Sequence, residues 1–190
     1  MLTKLLAQFP AHTIVEKSTA ELVAHYRDLI PSEVINVWEQ YGFGTFRDGY
    51  LKIVNPNEYA DVLAGTYELT STSAPAPPVV LFATAMGDLL IWEDGFLTRV
   101  DYRHGQTQIV ADNFKLFFQD LTDEEYLNDM LGWEPYLAAR ERLGEPAFDE
   151  CFGYVPLLAL GGPETVEHLE KVKLREHIAL IGQFTGVLER

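Results

Sequence analysis

The apolar residues in the first third of the chain recur at intervals of three and four, which is the spacing of a helix face. A capping box of Ser18 and Glu21 predicts the start of one helix, and the sequence after Pro31 predicts a second helix over 32–41 that ends at Gly42. The apolar positions of these two helices are Leu22, Tyr26, Leu29, Val34, Trp38 and Tyr41. The pattern therefore predicts a small helical part in this region.

Turn residues interrupt the pattern at two places after these helices. Asp48-Gly49 lies between two apolar runs and is typical of a tight hairpin. Asn55 and Glu58 form a further helix start, with Pro56 at the first helical position. The stretch 70–78 lacks large apolar side chains and contains three prolines, so it predicts a linker.

Four runs rich in β-branched and aromatic residues follow the linker and are separated by short turns that contain glycine. They cover 79–84, 89–92, 96–102 and 107–110 and predict an antiparallel meander. In the third run two sets of residues alternate, so we expect one face of this strand to be buried and the other to be more polar. The two sets are Phe96, Thr98, Val100 and Tyr102, and Leu97, Arg99 and Asp101.

Helical spacing returns after residue 111. Asp112 is predicted to cap one helix, Thr122 and Glu125 form a capping box for the next, and a third runs from Pro135 to Leu143 before Gly144. The apolar positions of the first two are Phe114, Phe117, Phe118, Leu121, Tyr126, Leu127, Met130 and Leu131. An apolar segment, a strand and a last helix are predicted over 151–162, 166–174 and 175–185.

These elements predict an α+β fold, in which an antiparallel β-meander packs against helices and a small helical and hairpin part precedes it. The linker divides the sequence into an N-terminal part, 1–69, and a C-terminal domain, 79–190. A chain of 190 residues is also short enough for the two parts to form one compact unit.

The charge of the chain narrows the class of partner. The hydrophobic content of 47% is that of a globular protein, and the net charge is −15. Such an acidic chain is a poor ligand for nucleic acid and should prefer a basic partner. Residues 111–150 contain eleven Asp or Glu against three Lys or Arg. These acidic residues belong either to a solvated helical surface or to a surface that faces a partner, and both interpretations are open from the sequence.

Eight carboxylates are the candidate partner-binding residues. Five lie on the predicted helices after residue 111, and three lie near the hairpin turns of the meander, where acidic side chains are commonly solvated. The eight are Asp120, Asp123, Glu124, Glu125, Asp129, Asp88, Glu93 and Asp94. The apolar residues of these helices occupy the inward side, so we expect the first five carboxylates to face outward and to form one acidic surface.

Segments for export or membrane insertion are not apparent. The longest apolar run, 155–160, is far shorter than the roughly 20 residues that span a bilayer. The start of the sequence lacks a secretory apolar core, and the single cysteine, Cys151, cannot form an intramolecular disulfide. We therefore expect a cytoplasmic protein that does not bind membranes.

The common patterns of catalytic, cofactor and metal sites are missing from the sequence, so no such site is predicted. The two Glu-His pairs, 167–168 and 176–177, lie nine residues apart and would face opposite sides of one helix. Cys151 lies at the head of an apolar run, where cysteine usually packs as a small core residue. The tryptophans at 38, 92 and 133 have the spacing of core residues.

Two stretches of the sequence resemble a known bacterial family. The segment 151–162, with Asp149-Glu150 before it and residues 166–177 after it, resembles the C-terminal domain of type VI secretion immunity proteins. The first half resembles the GAD-like domain that often precedes it, through Ile30-Pro31, Trp38, Tyr41-Gly42, Gly44, Gly49-Tyr50, Asn55-Pro56 and Tyr59. Phe43 stands where the family more often has Trp.

The resemblance implies an immunity protein that binds a cognate secreted toxin, in the best understood members a DNase. Such a protein is not an enzyme, and a DNase partner would present a basic surface. Two alternatives remain open from the sequence. One is a small cytosolic hydrolase or transferase that uses carboxylates near the meander or Cys151, and the other is an immunity-fold adaptor for a toxin that is not a nuclease.

Overall fold

Seven strands drawn from both halves of the chain form one antiparallel sheet in the computed structural model, which describes residues 13–70 and 76–190. The strands of the described residues, in chain order, are β1 (Thr13–Glu16), β2 (Phe43–Phe46), β3 (Leu51–Ile53), β4 (Tyr67–Glu68), β5 (Val79–Thr84), β6 (Leu89–Glu93), β7 (Phe96–Asp101), β8 (Gln106–Ala111), β9 (Glu150–Tyr154), β10 (Leu169–Lys173) and β11 (Leu188–Glu189). The main sheet has the order β1-β2-β3-β5-β6-β7-β8. Two small sheets pair β9 with β10 and β4 with β11.

Helices cover both faces of this sheet. They are α1 (Ala20–Tyr26), α2 (Ser32–Tyr41), α3 (Ala60–Thr66), α4 (Phe114–Asp120), α5 (Glu124–Tyr126), α6 (Glu134–Leu143) and α7 (Leu174–Thr185). A π-helical turn, Leu127–Leu131, continues α5, and short 3-10 turns lie at Pro56–Glu58, Leu158–Leu160 and Val166–His168. The helices and the large antiparallel sheet confirm the predicted α+β fold.

Two hydrophobic clusters lie on the two faces of the sheet. The first contains apolar side chains of α1, α2, α4, α6 and the π-helical turn, and the second contains those of α3 and α7. Phe82 of β5 is central to the first cluster, because its ring lies 5.7 to 6.2 Å from the rings of Phe114, Phe117 and Phe118. These edge and tilted contacts fix α4 against the sheet.

The burial of both faces corrects the prediction for β7. One face of this strand was expected to be buried and the other to be more polar, but Leu97, Arg99 and Asp101, which include both charged residues, are all buried. Gly132, which ends the π-helical turn, lies over the guanidinium group of Arg99. The helices therefore cover the side of the strand that alternation alone assigns to solvent.

The element boundaries agree with the sequence over most of the chain. The helix at 32–41, its end at Gly42 with a φ of 69°, the hairpin at Asp48-Gly49 and the four strands of the meander are confirmed. Trp38 and Trp133 are buried and Trp92 is half-buried, as expected of core residues. Residues 71–75 of the predicted linker lie outside the described residues, and the division into two domains at this point stays a prediction.

Three helix caps lie one residue later than predicted. The capping side chains are those of Thr19, Asn113 and Asp123, where Ser18, Asp112 and Thr122 were expected. Two of the expected caps use their hydroxyl groups elsewhere. Ser18 donates to the carbonyl of Trp38 at 2.7 Å, and Thr122 donates to the carbonyl of Gln119 at 2.8 Å.

Replacement of Gly153 by alanine should destabilise the contact between β9 and α7. A Cβ atom at this position would lie 2.4 Å from Nε2 of the buried His177 ring. We expect the free energy of unfolding to fall by roughly 1 to 3 kcal/mol, as measured by urea denaturation. Gly65→Ala in α3 is the control, because its Cβ would meet no atom within 4 Å and helix propensity should raise stability by about 0.5 to 1 kcal/mol. Equal stabilities of the two variants would contradict this packing.

Candidate functional site

Five carboxylates lie on the outward side of α4, α5 and the π-helical turn. The inward side of these elements carries Phe117, Phe118, Leu127 and Leu131, all of which are buried. The five outward residues are exposed and are together called the acidic surface, which consists of Asp120, Asp123, Glu124, Glu125 and Asp129. The packing of the apolar residues thus gives the carboxylates a fixed support.

A tight turn holds the acidic surface together. The N–H of Asp123 donates to the carbonyl of Asp120 at 2.9 Å, which joins α4 to α5. The side chain of Asp123 then accepts from the N–H of Glu125 at 2.9 Å and caps α5. Within residues 13–70 and 76–190, none of the five carboxylates forms an ion pair, so their negative charge is directed to solvent.

The three candidate carboxylates of the meander are not part of this surface. Asp88 and Glu93 are buried, and the expectation that they are solvated is wrong for both. Asp94 is exposed at the turn between β6 and β7, with a φ of 49°. The structure therefore separates the eight candidates into an exposed group of five, one exposed turn residue and two interior residues.

Asp88 is neutralised by two arginines. Its Oδ2 atom lies 3.0 Å from Nη2 of Arg99 and 3.1 Å from Nη2 of Arg103. Arg99 also contacts Oδ2 of Asp101 at 2.9 Å. All four side chains are buried, and a buried carboxylate is retained only where such partners replace its hydration. We call these four residues the buried ion network.

His104 extends the buried ion network to the second half of the chain. Its Nδ1 lies 2.7 Å from Oδ2 of Asp101, and its Nε2 lies 2.7 Å from Oε1 of Glu164. The hydrogen bond to Asp101, followed by that to Glu164, outweighs partial burial and raises the pKa of His104 to about 9. Burial alone would raise the pKa of Asp101. The hydrogen bond from His104 and the charges of the two arginines together have the larger effect and lower this pKa to about 2.

Glu93 has a separate set of partners. Its carboxylate accepts hydrogen bonds from the hydroxyl of Tyr67 at 2.7 and 2.8 Å and pairs with the guanidinium of Arg190. Arg190 also donates to the hydroxyl of Thr98 at 3.2 Å. The carboxylate of Glu93 thus joins β6 to β4 and to the residue that follows β11.

Lys52 and Cys151 lie near each other in the interior. The ammonium group of Lys52 donates to the carbonyls of Ala147 at 2.8 Å and Phe148 at 3.1 Å, and to that of Glu150. Burial lowers the pKa of Lys52 to about 8, and burial raises the pKa of the Cys151 thiol to about 12. The prediction that Cys151 is a core residue is confirmed by its full burial.

Sequence reasoning missed the buried ion network and the interior position of Lys52. One signal was present, since Arg99 and Asp101 on one side of β7 and Arg103 in the turn after it recur at every second position with alternating charge. Lys52 gave no such signal. Its strand neighbours are apolar, and alternation assigns the lysine to solvent.

The structure brings no metal-binding group together in the part that it describes. No cluster of three or more His, Cys, Asp or Glu side chains there is placed to hold a metal ion. His168 contacts Thr165 at 3.0 Å in a 3-10 turn, whereas His177 is buried in α7. Across the described ranges, no helix is long and apolar enough to cross a membrane.

Comparisons with known proteins match both halves of the chain. The family model of the GAD-like domain matches residues 1–104, and that of the C-terminal part of T6SS immunity protein Tdi1 matches residues 111–185. A search of curated proteins gave no match. Among solved structures, the crystal structure of Atu4351 from Agrobacterium tumefaciens has a TM-score of 0.76 over 96% of this chain and 89% of that chain. Its sequence identity is 18%, so this likeness shows a common fold alone.

Stability should depend on pH through His104. Because the pKa of this group is raised from 6.5 in the unfolded chain to about 9 in the fold, its contribution is fully present below pH 6.5 and is lost as pH rises through 9. The Tm difference between wild type and His104→Gln should therefore shrink from pH 6.5 to pH 9.5, as measured by calorimetry. Glu164→Gln should remove only part of the effect, because Asp101 remains. A constant Tm difference for His104→Gln would contradict the ion pair.

Proposed function

This chain belongs to the type VI secretion immunity proteins that carry a GAD-like domain, and we propose that it binds and neutralises a cognate DNase toxin. In this proposal the toxin is delivered by a type VI secretion system, and the immunity protein occludes its active site or DNA groove. Inhibition of this kind requires a complementary surface and no catalytic residue. The protein would act in the cytoplasm, where it meets a toxin that attacks the DNA of the cell.

The acidic surface is the observation that supports this proposal. A DNase binds the phosphate backbone through clustered basic side chains, so its substrate groove is positively charged. Five exposed carboxylates without ion pairs to described residues match such a groove in sign, and they are carried by a chain of net charge −15. Opposite charges accelerate encounter and favour the correct orientation. A bound immunity protein would also compete with DNA for the same basic side chains.

The interior chemistry favours an inhibitor over an enzyme. Cys151 is fully buried and its thiol has a raised pKa, which disfavours the thiolate that a nucleophile requires. Asp88, Asp101 and Glu93 are occupied by arginine, histidine or tyrosine partners. These contacts give the alternative of a small hydrolase or transferase no specific support. The other alternative, an adaptor for a toxin that is not a nuclease, is separated from the proposal by whether the toxin cleaves DNA.

The first experiment is to sequence the neighbouring genes, to produce any effector that they encode, and to assay its cleavage of plasmid DNA with and without this protein. We expect the effector alone to cleave the plasmid, and we expect this cleavage to stop when the immunity protein is added in equimolar amount. An effector that binds this protein but does not cleave DNA would support the adaptor alternative. An effector that cleaves DNA at the same rate with and without this protein would contradict the proposal.

Charge reversal on the acidic surface should slow association. Substitution of Asp123, Glu124 and Glu125 by lysine raises the net charge from −15 to −9 and should lower the association rate about tenfold or more, because electrostatic steering is lost. The rates are measured by surface plasmon resonance against the effector. Added salt should slow wild-type association more than it speeds dissociation.

A second triple variant controls for net charge. Glu58, Glu68 and Glu170 are exposed on other elements and form no ion pair with a described residue, so their replacement by lysine gives the same charge change elsewhere. This control should retain most of the wild-type association rate. Equal losses in the two variants would mean that net charge matters and that the acidic surface is not the interface.

Replacement of Cys151 by serine should leave protection intact. The hydroxyl is buried in an apolar site and should lower the free energy of unfolding by roughly 1 to 3 kcal/mol. Cys151→Ala avoids this cost and is the matched variant. Both folded variants should protect cells that express the effector as well as wild type does. Loss of protection in both, with retained binding, would indicate chemistry at the thiol.

A further inference from the structure

The strand β8 forms an edge of the main sheet. It pairs with β7 on one side, and no other described strand pairs with its second side. Its sequence, Gln-Thr-Gln-Ile-Val-Ala, contains neither proline nor a charged residue, which are the usual means of protecting an edge. Gln106, Gln108 and Ile109 are exposed. Leu188 of β11 approaches the turn before β8, near Gly105, without extending the sheet.

This edge is continuous with the acidic surface. The hydroxyl of Tyr126 in α5 donates to the carbonyl of Val110 in β8 at 2.9 Å. The side-chain amide of Gln108 contacts the sulfur of Met130, beside Asp129, at 3.3 Å. Asp112 is exposed directly after the strand. The open backbone of β8 therefore lies between Asp112 at the end of the strand and the neighbouring π-helical turn, which carries Asp129.

We infer that β8 binds an extended, basic segment of the toxin as an additional strand, an inference that rests on the proposed function. Backbone N–H and C=O groups at an open edge bind an extended peptide of any sequence, and the flanking side chains select which one. The flanking carboxylates are Asp112 and Asp129, and they outnumber the one basic side chain of α4, Lys115. Lysine or arginine is therefore favoured in the bound segment. Ile109, 43% exposed, and Leu116, 53% exposed, add apolar contacts.

Net charge favours a basic segment of the toxin over a second copy of this chain as the partner of the β8 edge. Two copies paired along β8 would bring together two acidic surfaces, each on a chain of net charge −15. Like charges across paired strands are destabilising. A basic segment meets the same backbone groups with favourable electrostatics, and so the toxin is the better partner for this edge.

A pair of proline variants tests the inference. Adjacent residues of a strand direct their N–H groups to opposite sides, so one of Thr107 and Gln108 donates toward β7 and the other toward the open edge. Hydrogen exchange on the free protein identifies the open-edge amide as the faster of the two. Proline at that position should weaken binding of the neighbouring effector at least tenfold with little change in Tm, whereas proline at the other position should lower the Tm.

Hydrogen exchange on the complex gives a second measurement. The open-edge amides of residues 106–109 should become protected when the effector binds. Wild-type affinity and unprotected amides in the open-edge variant would overturn the inference and leave the proposed function standing. A concentration-dependent dimer of the free chain that the same variant abolishes, with effector binding retained, would assign the edge to a second copy. Absence of effector binding by wild type would refute the proposed function, and the inference with it.

Discussion

The central strands of the main sheet are buried on both faces, and most of the structure follows from this constraint. β5 and β6 are apolar on both sides, so the chain must supply two layers of helices. One layer contains helices from before and after the meander, and the other contains α3 and α7. Each layer therefore contains residues from both halves of the sequence.

Covering both faces also confines charged side chains within the protein. Asp88 lies at a turn between two apolar strands, and its carboxylate is fully buried, so that water cannot solvate it. Arg99 and Arg103 compensate the charge, and Asp101 compensates the arginines. Loss of one partner from such a group leaves an unpaired buried charge, at a cost of about 3 to 5 kcal/mol. The ion network therefore ties the packing of α5 and its continuation to the geometry of the meander.

Local patterns predicted the elements well and the surroundings of individual residues less well. The helix at 32–41 and the meander follow from periodicity and glycine positions, which depend on neighbours in the sequence. The burial of Asp88, Glu93 and Lys52 depends on helices and loops that are distant in the sequence. The alternation of residues within one strand contains no information about these contacts. The acidic side of α4 and α5 was predictable because the apolar residues of the same helices determine it. Ser18, the cap predicted for α1, instead donates its hydroxyl to the carbonyl of Trp38, which is distant in the sequence, and Thr19 caps the helix in its place.

The distribution of carboxylates, more than their number, determines how this protein presents its charge. Asp88, Asp101 and Glu93 contribute little to the external field, because cationic partners lie within hydrogen-bonding distance of each. Asp123, whose carboxylate caps α5 through backbone N–H groups, is exposed and has no cationic partner among the described residues. Since Phe114, Phe117 and Phe118 pack around Phe82, the helices that carry the acidic surface are held by the central strands. A charge held on a rigid support loses little conformational entropy when a partner binds, so its attraction is retained in the affinity. The apolar core thus fixes the position of the acidic surface on the fold.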